Sequence, residues 1–245
     1  MTTPRHALSL LAALALLFTA TARTARALNV IPVPYGCPIP VTVTNDTDAP
    51  IFHTPCPPTV FDENGVLVFS LACPQIAIEL APGESSTTFW PQVDMLGQPV
   101  PEGVYFVNGQ GYLVTSTVPA MLWALGPPRV GDTRALLASA PGEPGGLYAV
   151  AASATSNLGT PLACGAFFPL DIDGLLFASL TTPSVFQNFI GVLDDDGCTT
   201  APRIAVPADP SLAGISFVAA FAVLDPTAPC PVRAVSDPRF LTVAP

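Results

Sequence analysis

The chain has 245 residues, half of them apolar and only 11% charged, with 30 prolines and no lysine. That apolar content excludes charge-driven disorder. A proline roughly every eight residues excludes long helices, because each one removes an N–H and clashes with the preceding turn. Short strands between Pro/Gly turns fit this punctuation. The missing lysine also excludes Schiff-base and P-loop chemistry.

Residues 1–27 read as a secretory signal peptide. Arg5 and His6 precede an apolar stretch from Ala7 to Ala20, which is too short to span a bilayer. Ala25-Arg26-Ala27 supplies the small-x-small cleavage pattern, so Leu28 is the expected first mature residue, with Ala20-Thr21-Ala22 as a second possible cut. The longest later apolar run, Ala213 to Leu224, suits a buried strand, and no membrane insertion is expected. Removing the leader takes three of the eight arginines and leaves five against 18 acids, a formal charge of −13. Such a chain lacks the clustered Lys/Arg that nucleic acid and anionic membrane surfaces require. The expected destination is secreted, periplasmic or cell-surface.

Residues 28–125 alternate with period two. Val41 and Val43 oppose Thr42 and Thr44, and Ile76, Ile78 and Leu80 alternate with Ala77 and Glu79. Gly65 to Leu71, Ser86 to Trp90, Val104 to Val107 and Tyr112 to Thr115 complete the predicted strands of this half. Turn signals 8–12 residues apart point to an antiparallel sandwich. Gly126-Pro127-Pro128-Arg129-Val130-Gly131-Asp132 is the predicted linker, residues 126–132. Residues 133–245 give a second sandwich, with strands expected at 134–139, 147–154, 175–180, 189–193, 203–206, 215–224 and 239–243. The fold class is therefore all-β, two Ig-like sandwiches in series.

Six cysteines fit an oxidising compartment. Cys56–Cys73 is the favoured pair, because Phe61-Asp62-Glu63-Asn64-Gly65-Val66 between them reads as strand, turn, strand. Three cysteines fall in each half, leaving open either a bridge between halves or two free thiols. Spacings of 17 residues and more, without Cys-x-x-Cys, favour disulfides over zinc. The clustered carboxylates Asp194, Asp195 and Asp196 before Gly197, and Asp171 and Asp173 before Gly174, are weak calcium candidates. Val192 and Pro169 stand where an EF-type loop needs its first aspartate, so both read first as Asp-Gly hairpin turns. No metal or other cofactor is expected. Asn45-Asp46-Thr47 is a glycosylation sequon that reads as a turn. Beyond the leader His53 is the sole histidine, beside Cys56, and no Gly-x-Ser-x-Gly elbow occurs, so no catalytic residue is assigned. Trp90 and Trp123 read as core residues.

Several of these segments together resemble the BsuPI-type proteinase inhibitor domain, an immunoglobulin-like sandwich. They are Thr44 to Ile51, the Phe61 to Val66 hairpin, the Leu80-Ala81-Pro82-Gly83-Glu84-Ser85 turn, Trp90, and Gly97 to Tyr105. The resemblance implies an Ig-like fold and, as an alternative function, proteinase inhibition through the first half. Trp90 to Val104 is the longest loop available for it. Pro169-Leu170-Asp171, Gly191 to Asp194, Val206 to Gly214 and Val223 to Pro226 resemble an unnamed β-rich module of secreted bacterial proteins. The expected function is a non-enzymatic structural or protein-binding module, and a protein is the expected kind of partner.

Overall fold

The computed structural model describes residues 30–245, so the predicted signal peptide and Leu28 lie outside the described residues. The described chain is all-β apart from one α-helix and two single 3-10 turns.

In the first half, the strands Ile31–Pro34, Gln110–Thr115, Gly103–Val107, Val60–Asp62 and Leu67–Phe69 lie side by side in that order. The first of these pairs is parallel and the others are antiparallel. Two ladders accompany this sheet, Ile39–Thr44 with Ser85–Trp90 and Ile51–His53 with Ile78–Leu80. Period two explains the packing. Val33, Ile39, Val60, Phe69, Trp90, Tyr105, Val107 and Val114 point inward as one buried cluster. Across the outer face of the Ile39–Thr44 ladder, Thr42 meets Thr87 and Thr44 meets Ser85, each hydroxyl pair at 2.9 Å. Asn45 closes the ladder. Fully buried, it donates to the Ala49 and Leu80 carbonyls and accepts from the Thr47 amide and hydroxyl, so the sequon is a structural turn.

In the second half, Met121–Ala124, Thr133–Ser139, Arg203–Ala205 and Phe186–Gln187 form one sheet, with Cys198–Thr199 also on Thr133–Ser139. A second sheet runs Ile190–Val192, Leu147–Ser153, Ser216–Leu224 and Val232–Val235, and Arg239–Thr242 also pairs with Ser216–Leu224. The core between them holds Leu122, Leu136, Ala138, Tyr148, Val150, Phe217 and Phe221. The far side of the second sheet is covered as well. There Ala151, Val218 and Ala220 pack against Leu170, with Phe168 and Leu176 beside them. Burial on both faces is why Ser216–Leu224 reads as an unbroken apolar run rather than an alternation.

The structure corrects two expectations. Residues 175–180, predicted as a strand, belong to a helix, Gly174–Thr181. Asp173 sits at its N-cap, where one carboxylate oxygen accepts from the Leu176 amide at 2.8 Å, so the Asp173-Gly174 pair starts a helix instead of turning a hairpin. Leucine and alanine then propagate the helix, with no β-branched residue until Thr181. The buried Ser179 hydroxyl accepts from the Ala152 amide at 3.0 Å and fastens the helix to the sheet. Secondly, Met121–Ala124 lies within residues 28–125, the predicted first half, yet it forms a strand that pairs with Thr133–Ser139 of the second. Its Trp123 nevertheless packs against the first-half core. Residues 126–132 are hydrogen-bonded rather than loose. Arg129 donates to the Pro82 and Pro245 carbonyls, and Val130 donates to Ala244. Ile31–Pro245 is one compact unit.

Candidate interaction site

The loop between the strands Ser85–Trp90 and Gly103–Val107 is built from its base outward. Trp90 is fully buried, and its indole N–H donates to the Val93 carbonyl at 2.9 Å. Gln92 follows with a positive φ of 57° and is itself buried. Its amide nitrogen donates to the carbonyls of Pro34 at 2.6 Å and Cys37 at 2.7 Å, and its oxygen accepts from Gly36 N–H at 2.8 Å. All three bonds connect the loop base to residues 34–37, so Gln92 sets its exit angle. Val93 bridges Pro99, and the Val100 amide donates to the Gln92 carbonyl at 3.0 Å.

The tip is a tight turn. One Asp94 carboxylate oxygen accepts from the amides of Leu96 at 2.8 Å and Gln98 at 2.9 Å, while Asp94 N–H donates to the Gln98 carbonyl. Gly97 takes a φ of 75°, in the left-handed region that disfavours side chains. This frame leaves Met95 59% and Leu96 83% exposed. Two large apolar side chains therefore stand in water on a backbone fixed by its own hydrogen bonds. Such an arrangement can insert into a complementary pocket with little loss of chain entropy.

The other singled-out residues have local structural roles. Asp171 accepts from the Thr155 hydroxyl and from the amides of Asn157, Leu158 and Gly159, the amides at 2.7–2.9 Å. The Thr155 hydroxyl and these amides lower its pKa to about 2. Besides capping the helix, Asp173 accepts from the Ser153 hydroxyl and the Ala154 amide, both at 2.8 Å. Burial opposes the ionised form of Asp173, and these donors outweigh it, so its pKa lies below the usual value. Asp194 accepts from the amides of Asp196 and Cys198 in a turn closed by Gly197, while Asp195 and Asp196 are exposed. Among the described residues, no three His, Cys, Asp or Glu side chains are placed to hold a metal ion.

The structure joins Cys56 to Cys73, Cys37 to Cys198 and Cys164 to Cys230, leaving no described cysteine free. Cys37–Cys198 connects the two halves and is buried at both ends. His53 is half-buried and lines a 230 Å³ recess with Ser86, Thr88 and Asn108.

Sequence reasoning marked the 90–104 loop by its Pro/Gly content but missed Gln92 and the Met95–Leu96 tip. The Asp94-x-x-Gly97 spacing is the signal that would have found the turn. The hairpin before Gln110 turns on Asn108-Gly109, both with positive φ.

No family model matches the chain, and no curated protein does. Among solved structures, red sea bream transglutaminase is similar at 9% identity with a TM-score of 0.24. A putative membrane anchored protein from Corynebacterium diphtheriae is similar at 11% identity with a TM-score of 0.26. These matches cover 90% and 86% of this chain, which spans 30% and 51% of theirs. Likenesses of that size carry no argument about function.

Proposed function

We propose that the protein is an extracellular, non-enzymatic protein-binding module that meets its partner through the 93–99 hairpin. The observation that supports this reading is the pinned turn with Met95 and Leu96 held in water, since exposed apolar groups on a rigid support favour an interface. Three disulfides in a small-residue-rich β protein agree with an oxidising compartment.

A second reading makes the partner a proteinase. It is favoured by the same hairpin, which presents a rigid, exposed apolar turn, and by the resemblance of the first half to BsuPI-type inhibitors. Both readings are tested by titrating the protein and its Met95→Asp and Leu96→Asp variants against a panel of serine and cysteine proteinases, following activity and complex formation together. Inhibition lost in both variants supports the proteinase reading. A complex that leaves activity intact and fails with either variant supports the general binding module. Rapid cleavage within residues 93–99 would overturn both, because a rigid interaction loop must survive contact with a proteinase.

A further inference from the structure

The strand edges of this protein are not treated alike. Ile31–Pro34 is an edge strand, and Tyr35 N–H bonds to Thr115, so alternation turns residues 32 and 34 away from the sheet. Both are prolines, which have no N–H to offer an incoming strand. Pro40 occupies an outward position of the Ile39–Thr44 strand in the same way. The Arg239–Thr242 edge carries no such block. The Val243 amide donates inward to Ile215, whereas Ala244 donates outward to Pro128 and accepts from Val130. Alternation therefore turns the N–H and C=O groups of Phe240 and Thr242 outward. Beyond the single Arg129–Ala244 bridge, no strand among the described residues pairs with that edge.

This open edge forms one wall of a cleft of about 610 Å³. Tyr112, Trp123, Pro40 and Pro127 line the rest, and Phe240 is 70% exposed at the rim. Arg239 also lines the cleft and makes no ion pair among the described residues, where Arg134 and Arg233 are paired with Asp132 and Glu143. In a chain with so few cations, an unpaired one beside an aromatic cleft favours an anionic group there. The open edge extends about 13 Å at strand rise. It presents donors and acceptors in the alternating pattern that an extended polypeptide completes and a sugar or lipid does not.

We propose that this cleft binds an extended peptide segment of a partner protein by strand addition to Phe240 and Thr242, with an acidic side chain of the peptide at Arg239. The site is separate from the 93–99 hairpin and stands or falls independently of it.

The test is selection of a phage library of random dodecapeptides on the immobilised full-length protein, followed by titration of synthetic copies of the selected peptides. Phe240→Pro removes one outward N–H and no sheet hydrogen bond, whereas Thr242→Pro removes one outward N–H together with the Ser216–Thr242 hydroxyl bond at 2.8 Å. Phe240→Pro should keep the parent's melting temperature, Thr242→Pro should lower it slightly through the lost Ser216 contact, and each should bind about tenfold more weakly or worse. Methylating alternate peptide nitrogens should abolish binding to the parent, which tests pairing without altering the protein. Arg239→Glu should weaken acidic binders and reverse the sign of their salt dependence. Peptides that bind both proline variants as tightly as the parent would overturn the proposal, as would a selection yielding no binder. Binders lost with Leu96→Asp but kept by Phe240→Pro would overturn it while supporting the hairpin. A dimer of the protein that Phe240→Pro dissociates would also overturn it, making a second copy the occupant.

Discussion

The Ile39–Thr44/Ser85–Trp90 ladder and the Leu147–Ser153/Ser216–Leu224 pair are both antiparallel, yet they are written in different alphabets. In the first, Ile39, Val41 and Val43 share one face and Thr42 and Thr44 the other, where they meet Thr87 and Ser85, so the Ile39–Thr44 strand alternates. The second is packed on both faces, with Phe217, Phe221 and Tyr148 toward one layer and Ala151, Val218 and Ala220 toward the helix side. Alanines on that side leave room for the layer formed by Leu170 and Leu176. An alternating strand thus records one buried face, and an unbroken apolar strand rich in alanine records a second element pressed close against it.

Breaking the doubly covered pair should have the largest effect. Phe221→Ala empties the centre of a fully buried layer and should cost about 3–5 kcal/mol in urea denaturation. Thr87→Ala on the open face of the other ladder should cost less than about 1 kcal/mol. A near-equal pair of values would refute the contrast. Replacing Cys37 and Cys198 together by serine should cost about 2–5 kcal/mol in the same assay, since the bond closes the longest covalent loop.

Asp173→Ala removes the helix N-cap and should cost about 1 kcal/mol, with a loss of helical ellipticity that leaves the strand signal in place. The smallest effect is the acid response of Asp171. Its folded pKa of about 2 lies below the unfolded value, so its contribution is present above about pH 4 and is lost as pH falls towards 2. Asp171→Asn should flatten the melting temperature across that window, and an unchanged slope would assign the acid response to other carboxylates.

Much of this contrast was legible before folding. Val41 and Val43 against Thr42 and Thr44 announced a half-covered strand, and Ile215 to Leu224 announced a buried one. The all-β class follows from such segments together with the prolines. The helix was not legible as a helix, because Asp173-Gly174 is equally good chemistry for a hairpin and for an N-cap, and only the covering of Ala151 and Val218 decides between them. The strand Met121–Ala124 was lost to the opposite half for a related reason. Trp123 carries its packing to one core while its backbone serves the other. Of the candidate surfaces, the loop around Asp94 showed in its turn residues. The open edge at Phe240 did not, since whether a backbone group has a partner depends on residues far away in sequence.

The Cys37–Cys198 bond has a mechanical consequence. Its ends are separated by 161 positions, a length of chain that fully extended would reach about 560 Å. Tension applied through the two ends of the protein passes across the bond and leaves that whole segment unloaded. A pulled molecule can lengthen only by what lies outside the bridge, so nearly all of the first half is shielded from force while the bond is intact, whereas the second half remains exposed to load through residues 199–245, which include Ser216–Leu224. Reduction of this one sulfur pair would put the whole enclosed segment under load as well.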